Sequence, residues 1–314
     1  MNTPNGSMLG FFPGFEPIRI ATAGAEINGV IGGSGPPVLL LHGWPQSHVE
    51  WHRVAPVLAG HFTVIATDLR GYGDSSIPAA GSHHEGYSKR EMARDQIEVM
   101  RSLGFDRFAV AGHDRGARVG QRMASDYPDA VTKLALIDVV PTHTLYTHLT
   151  KEFATVYYHW FLLVQPSPLP EIILGNSAEF FLRTWAFSGL IPEVITAEAF
   201  AEYLRCFKNP ATLHAMCEDY RAGATIDLEH EKNDLEKKIK CPVLVLWGGK
   251  GAMGLLYDVL AEWQDRAVHV RGKAFDGGHW LPEQFPEDVS AELLTFLSDA
   301  PRLQGGASRC LKLI

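Results

Sequence analysis

The chain has 314 residues, a formal net charge of −8, 46% hydrophobic and 20% charged residues. This composition excludes a disordered or fibrous chain, and the length suits one α/β core carrying an insertion. An acidic chain without a Lys/Arg block excludes nucleic acid as the partner, because a polyanion needs a field that attracts phosphates.

The N-terminal stretch "MNTPNGSMLGFFPGFEPI" lacks a basic region followed by an apolar one, and the longest apolar runs are strand-sized. Neither export nor a membrane partner is therefore expected, and the location read is cytoplasmic. Cys206, Cys217, Cys241 and Cys310 show no C-x-x-C spacing; reduced thiols are expected, not a disulfide framework or a zinc site.

In chain order, apolar runs alternate with amphipathic stretches: "VLLLHG" (38–43), "FTVIATDLRGYG" (62–73), "EMARDQIEVMRSLG" (91–104), "FAVAGHD" (108–114), "ARVGQRMASDYP", and "LALIDVVP" (134–141). Continuous Val/Leu/Ile runs flanked by Gly or Pro suit strands buried on both faces of a parallel sheet, with helices as crossovers. After Pro141 come helical, aromatic-rich stretches such as "EFATVYYHWFLLVQPSPLPE", and strand signals return only at "CPVLVLWGGKG" (241–251).

The expected organisation is an α/β core (1–142), a helical cap (143–235), the rest of the core (236–300), and a tail (301–314), "PRLQGGASRCLKLI" with Ala300 before it, that has lost periodicity. "DVSAELLTFLSDA" reads as the closing amphipathic helix.

Gly112-His113-Asp114-Arg115-Gly116 has the G-x-nucleophile-x-G form of a sharp strand-to-helix turn, with Asp114 where Ser is usual. A carboxylate nucleophile suits displacement at an sp3 carbon, because acyl transfer to it gives a labile anhydride. The resulting alkyl ester must then be hydrolysed by a His base, an acid that orients it and donors for the oxyanion.

His279 in "DGGHWLPEQFP" stands where a C-terminal base belongs, and Asp138 ends the strand after the elbow helix. No Asp or Glu follows "VLVLWGGKGAMG" until Asp258, so Asp138 is left by elimination. The H-G-x-P turn in "LLLHGWPQS" resembles one that lends a backbone N–H to an oxyanion hole, so the N–H groups of Trp44 there and of Arg115 at the elbow are the expected oxyanion donors. A G-x-D-x-G alone is also what a turn or helix N-cap looks like. Its weight here comes from base, acid and donor turn following in order. His83-His84-Glu85 reads as a solvated loop and not a metal site, and Asp68 as a strand-end residue.

With "PGF", "GPPVLLLHGWPQ", "WHRVAP", "DLRGYGDS", "GHDRGAR", "DVVPT", "YHW", "QPSPLPE", "DYRAGATIDLEH" and "GGHWLPEQ", the chain resembles the α/β-hydrolase superfamily. More narrowly it resembles the haloacetate (fluoroacetate) dehalogenases. The resemblance runs to about Asp299 and implies an α/β-hydrolase fold with an inserted helical cap, and conversion of fluoroacetate or chloroacetate to glycolate and halide.

It further implies that Arg115 and Arg118 bind the substrate carboxylate, that His159, Trp160 and Tyr220 receive the halide, that no metal or organic cofactor takes part, and that the chain is a homodimer. Arg118 lies one helical turn past Asp114, so both can share a face. One position departs: Trp44 stands where fluoroacetate-active relatives resemble "HGFPQ", and an indole there narrows or reshapes the pocket. Two rivals stay open. An epoxide hydrolase uses the same Asp and His with lid tyrosines, for which Tyr157, Tyr158, Tyr203 and Tyr220 are available; a hydrolase-fold binding protein would hold ligand without turnover. Haloalkane dehalogenases resemble G-x-D-W-G at the elbow, and Arg115 argues against them.

Overall fold

The structure of the protein, a computed structural model, describes residues 10–299. The tail at 301–314, with Cys310, lies outside the described residues. One sheet of eight strands runs in the order β1-β2-β4-β3-β5-β6-β7-β8. The strands are β1 (Glu16–Ala21), β2 (Glu26–Gly33), β3 (Pro37–Leu41), β4 (Thr63–Thr67), β5 (Phe108–His113), β6 (Val131–Ile137), β7 (Val243–Gly248) and β8 (Val270–Phe275).

From β4 across to β8 neighbouring strands are parallel, whereas β1 pairs with β2 and β2 with β4 antiparallel. The apolar runs explain the middle: all six residues of β5 are buried, as a strand covered on both faces requires.

β1 and β2 extend the sheet at an edge that sequence reading did not resolve into strands. β1 is exposed or half-buried throughout and β2 buried only in part, and with Arg19 paired to Glu26 at 2.7 Å they make a half-solvated end of the sheet. The helices Lys89–Ser102 and Arg115–Asp126 connect parallel strands, and the helix Pro286–Ser298 closes the described chain.

Between β6 and β7 the described chain is helical from Thr142 to Asn233, without a strand. The helices Tyr158–Leu163 and Pro210–Ala224 of this segment bring its aromatic residues over the carboxyl ends of the parallel strands. That end of an open α/β sheet is where ligands bind. No described helix is long and apolar enough to cross a membrane. Cys206, Cys217 and Cys241 are free thiols, and burial pushes those of Cys217 and Cys241 up to about 12.

Candidate active site

Asp114 sits between β5 and the helix Arg115–Asp126 with φ 46° and ψ −112°, a strained conformation for a residue with a side chain. The flanking glycines make the turn possible. A Cβ on Gly112 would lie 2.5 Å from the Gly116 carbonyl carbon, and one on Gly116 would run into the Leu41 carbonyl. The turn lifts the Asp114 carboxylate above the sheet, where Oδ1 accepts the Trp44 backbone N–H at 3.0 Å. Burial pushes this carboxyl up, but the charges of His279, Arg115, His113 and Arg118 outweigh it and hold it below the ordinary carboxylate range. Asp114 is thus held as an anion.

His279 follows β8. Its Nε2 lies 4.0 Å from Asp114 Oδ2, too long for a direct hydrogen bond, and its Nδ1 lies 2.5 Å from Asp138 Oδ2. The carboxylate can only accept, so Nδ1 carries a proton and the bond aims Nε2 at Asp114. Asp138 is fixed in turn: its Oδ1 accepts the Gly248 N–H at 2.8 Å, and its φ of 51° turns the chain at the end of β6. Asp114, His279 and Asp138, which come from three strand ends, are therefore brought together.

A cavity of about 200 Å³ opens above Asp114 and His279. Trp44, Tyr157, His159, Trp185, Tyr220 and Trp280 make up most of its wall. Trp44 stacks on His159 with ring centroids 5.2 Å apart and planes 8° apart, so the indole forms one side of the pocket. Burial holds His159 down at about 3, leaving it neutral with one N–H to offer. His159 Nδ1 and the indole nitrogens of Trp160 and Trp44 are buried without a hydrogen-bond partner among the described residues. Unpaired buried polar groups of this kind are costly and call for a ligand or a water. Burial, then the Asp114 charge, raises the Tyr220 hydroxyl well above its ordinary range, so it stays protonated.

Trp160 and the two arginines stand behind this wall. The Arg115 guanidinium lies 4.2 Å from the centre of the Tyr220 ring, and that of Arg118 4.9 Å from the centre of the Trp160 ring. The two are differently committed. Arg115 gives Nε and Nη2 to both oxygens of buried Asp219, at 2.9 and 2.7 Å, and Lys89 pairs with the same carboxylate. Arg118 Nη1 bonds only neutral oxygens, Val140 O at 3.0 Å and Thr142 Oγ1 at 2.8 Å, and no described carboxylate forms an ion pair with it.

Residues to which the sequence reading gave no part in dehalogenation complete the site. Tyr157, Trp185 and Trp280 line the cavity, and Asp219 and Lys89 neutralise Arg115. "DYRAG" contains Asp219, but only its contact with Arg115, 104 residues away in sequence, gives it a role. His84 bonds Glu218 at 2.6 Å instead of standing free in solvent, and no described cluster of His, Cys, Asp and Glu could hold a metal ion. Asp68 follows β4 and accepts from the backbone of His48 and Asp74 and from the Asn28 side chain.

A family model for the α/β hydrolase fold matches residues 36–286. The fluoroacetate dehalogenase of Burkholderia sp is 44% identical over 293 residues, covering 92% of this chain and 96% of that protein. The chain belongs to the haloacetate dehalogenase branch of the α/β hydrolases. This α/β hydrolase is also 35% identical to a soluble epoxide hydrolase of Corynebacterium sp. (strain C12), over 87% of this chain and 96% of that one. A crystal structure from Nostoc sp PCC 7120, provisionally described as an α/β hydrolase, superposes with a TM-score of 0.89 at 53% identity, covering 92% of this hydrolase and all of that chain.

Proposed function

We propose that this hydrolase converts haloacetates to glycolate and halide through an ester on Asp114. The observation that carries the reading is the Asp114 carboxylate itself: anionic, held at Oδ1 by the Trp44 N–H at 3.0 Å, and facing His279 Nε2 at 4.0 Å across the mouth of the cavity. An Asp114 oxygen attacks the α-carbon in line, the carbon–halogen bond breaks, and the halide leaves toward the N–H and O–H groups of His159, Trp160 and Tyr220. Donors aimed at the leaving halide act most strongly when it has gathered charge, which is where they accelerate the reaction.

By family likeness the substrate carboxylate binds to Arg118, which stands behind the cavity wall and has no carboxylate partner among the described residues, with Arg115 contributing the part of its charge that Asp219 leaves over. Water then gives a proton to His279 Nε2 and attacks the Asp114 carboxyl carbon. The oxyanion is met by the Trp44 N–H and by the Arg115 N–H, which has no partner within its own helix. Collapse returns the proton, releases glycolate and leaves the water oxygen in Asp114.

Halide release from fluoroacetate and chloroacetate, side by side with an Asp114→Asn control, tests this. Release abolished in the control is expected; release that survives the substitution refutes the nucleophile. A second reading is epoxide hydrolysis by the same three residues, favoured by Tyr157 and Tyr220, which both line the cavity and could donate to an epoxide oxygen. Turnover of a neutral epoxide in preference to haloacetate would select it. By family likeness the chain functions in the cytoplasm as a homodimer, and sedimentation at twice the chain mass is the expected result, with a monomer refuting it.

A further inference from the structure

Behind the elbow lies a set of buried titratable groups that the reaction above does not use. His113, at the end of β5, is 0% exposed. Its Nε2 lies 2.9 Å from the backbone carbonyl of His279, and its ring centroid 4.6 Å from that of His279. A carbonyl only accepts, so Nε2 carries a proton. On the other side of the ring, Nδ1 lies 2.7 Å from Glu50 Oε1, off the straight N–H line, so the contact is ionic. A bare nitrogen lone pair at that distance from a carboxylate oxygen would be repelled, so Nδ1 is protonated too, and the ring is an imidazolium.

Glu50, on the short helix His48–Trp51, uses its other oxygen to accept the Gly43 N–H at 2.8 Å, in the residue before the Trp44 N–H that holds Asp114. One buried ion pair thereby touches the oxyanion turn, the elbow and the loop that carries the base.

The titratable groups facing His113 are Glu50 from the short helix, Asp114 from the elbow, Asp138 from the end of β6, and His279 from the base loop. Glu283, beyond Glu50, is held in its acid form by burial and by the Glu50 charge, and hydrogen-bonds with Gln46 and Tyr203. Glu50 is thus the counter-ion. Burial alone would lower His113, but the Glu50 charge outweighs it and raises the ring to about 9.

We propose that Glu50 and His113 form a positioning pair that keeps the Trp44 N–H and the His279 imidazole in register with Asp114 while the ester is hydrolysed. The proposal rests on the ester mechanism above. A merely structural ion pair would support folding and leave the pH dependence of turnover alone.

The ring nitrogens are read directly in the wild type by 15N–1H NMR. Two ring N–H signals for His113 are expected from neutral pH up to about 9, and a neutral ring at neutral pH overturns the proposal. In steady-state turnover of chloroacetate, His113→Gln keeps a donor for the His279 carbonyl but carries no charge. Its kcat should fall about tenfold with KM unchanged, and the wild-type decline in kcat above about pH 9 should vanish.

Glu50→Gln should move that decline to lower pH, which serves if His113→Gln does not fold. Unchanged kcat, or an alkaline decline identical in all three proteins, overturns the proposal. A wild type inactive on haloacetates and epoxides alike would refute the function instead, while the NMR still decides the charge on His113.

Discussion

Replacing Arg118 by Met separates the two arginines, which resemble each other in sequence and differ in the fold. The substitution keeps much of the side-chain volume and removes the one site cation that has no described carboxylate partner. A hydrogen bond to a charged group stabilises by about 1.5–3 kcal/mol, so kcat/KM for chloroacetate should fall roughly 10- to 150-fold, mainly through KM. Two unit charges 4 Å apart at an effective dielectric of 20 interact by about 4 kcal/mol, which sets a ceiling.

Stability should change little. The bonds to Val140 and Thr142 are lost, but burial and the neighbouring Arg115 already push Arg118 down, so a disfavoured buried cation goes with them. Arg115→Met should do the reverse to the fold, leaving buried Asp219 with Lys89 as its one described cationic partner beside the Tyr72 hydroxyl. Breaking one side of a buried ion pair costs about 3–5 kcal/mol, a fall in Tm of about 5–8 °C for a chain of this size. The assay is halide release with chloroacetate and with uncharged chloroacetamide, beside thermal denaturation. An Arg118→Met enzyme that keeps its KM for chloroacetate, or loses the acid and the amide equally, would refute the assignment of the substrate carboxylate to Arg118.

His279→Gln should release halide in a burst stoichiometric with enzyme and then stall, because alkylation of Asp114 does not need the base; continued turnover in quench-flow would remove His279 from ester hydrolysis. Trp160→Phe deletes an unpartnered buried N–H, and its kcat should drop about tenfold more for fluoroacetate than for chloroacetate, since fluoride gathers the denser charge; equal losses would count against a halide role. Raised to about 9, His113 contributes stability that is fully present below its unfolded value near 6.5 and is lost as pH rises through 9. The span amounts to about 3 kcal/mol, so urea denaturation should show wild type weakening between pH 6.5 and 9 and His113→Gln staying flatter.

The central strands were legible because their apolar runs are continuous, and the elbow because two glycines frame an acid. Asp138, reached in the sequence by absence of a competitor after "VLVLWGGKGAMG", stands 2.5 Å from His279 Nδ1. The hairpin of β1 and β2 was not legible, since Gly, Glu and Arg along an exposed edge blur the period of two. Asp219, Lys89, Glu50 and Glu283 escaped for another reason. Each is an ordinary charged residue on a helix, and its meaning lies in a buried partner about 60 to 240 residues away, which no local pattern encodes. The lid aromatics were ambiguous as well: a His-Trp pair on a helix reads first as core, and the structure sets His159 in the cavity wall and Trp160 behind it.

The most direct test of the account is a single turnover of chloroacetate in oxygen-18 water, followed by mass spectrometry of the peptide that contains Asp114. Hydrolysis of an Asp114 ester places the label in the Asp114 carboxylate and leaves the first glycolate unlabelled. Label in glycolate and none in Asp114 would mean that water attacks the substrate directly, and the covalent mechanism would be wrong.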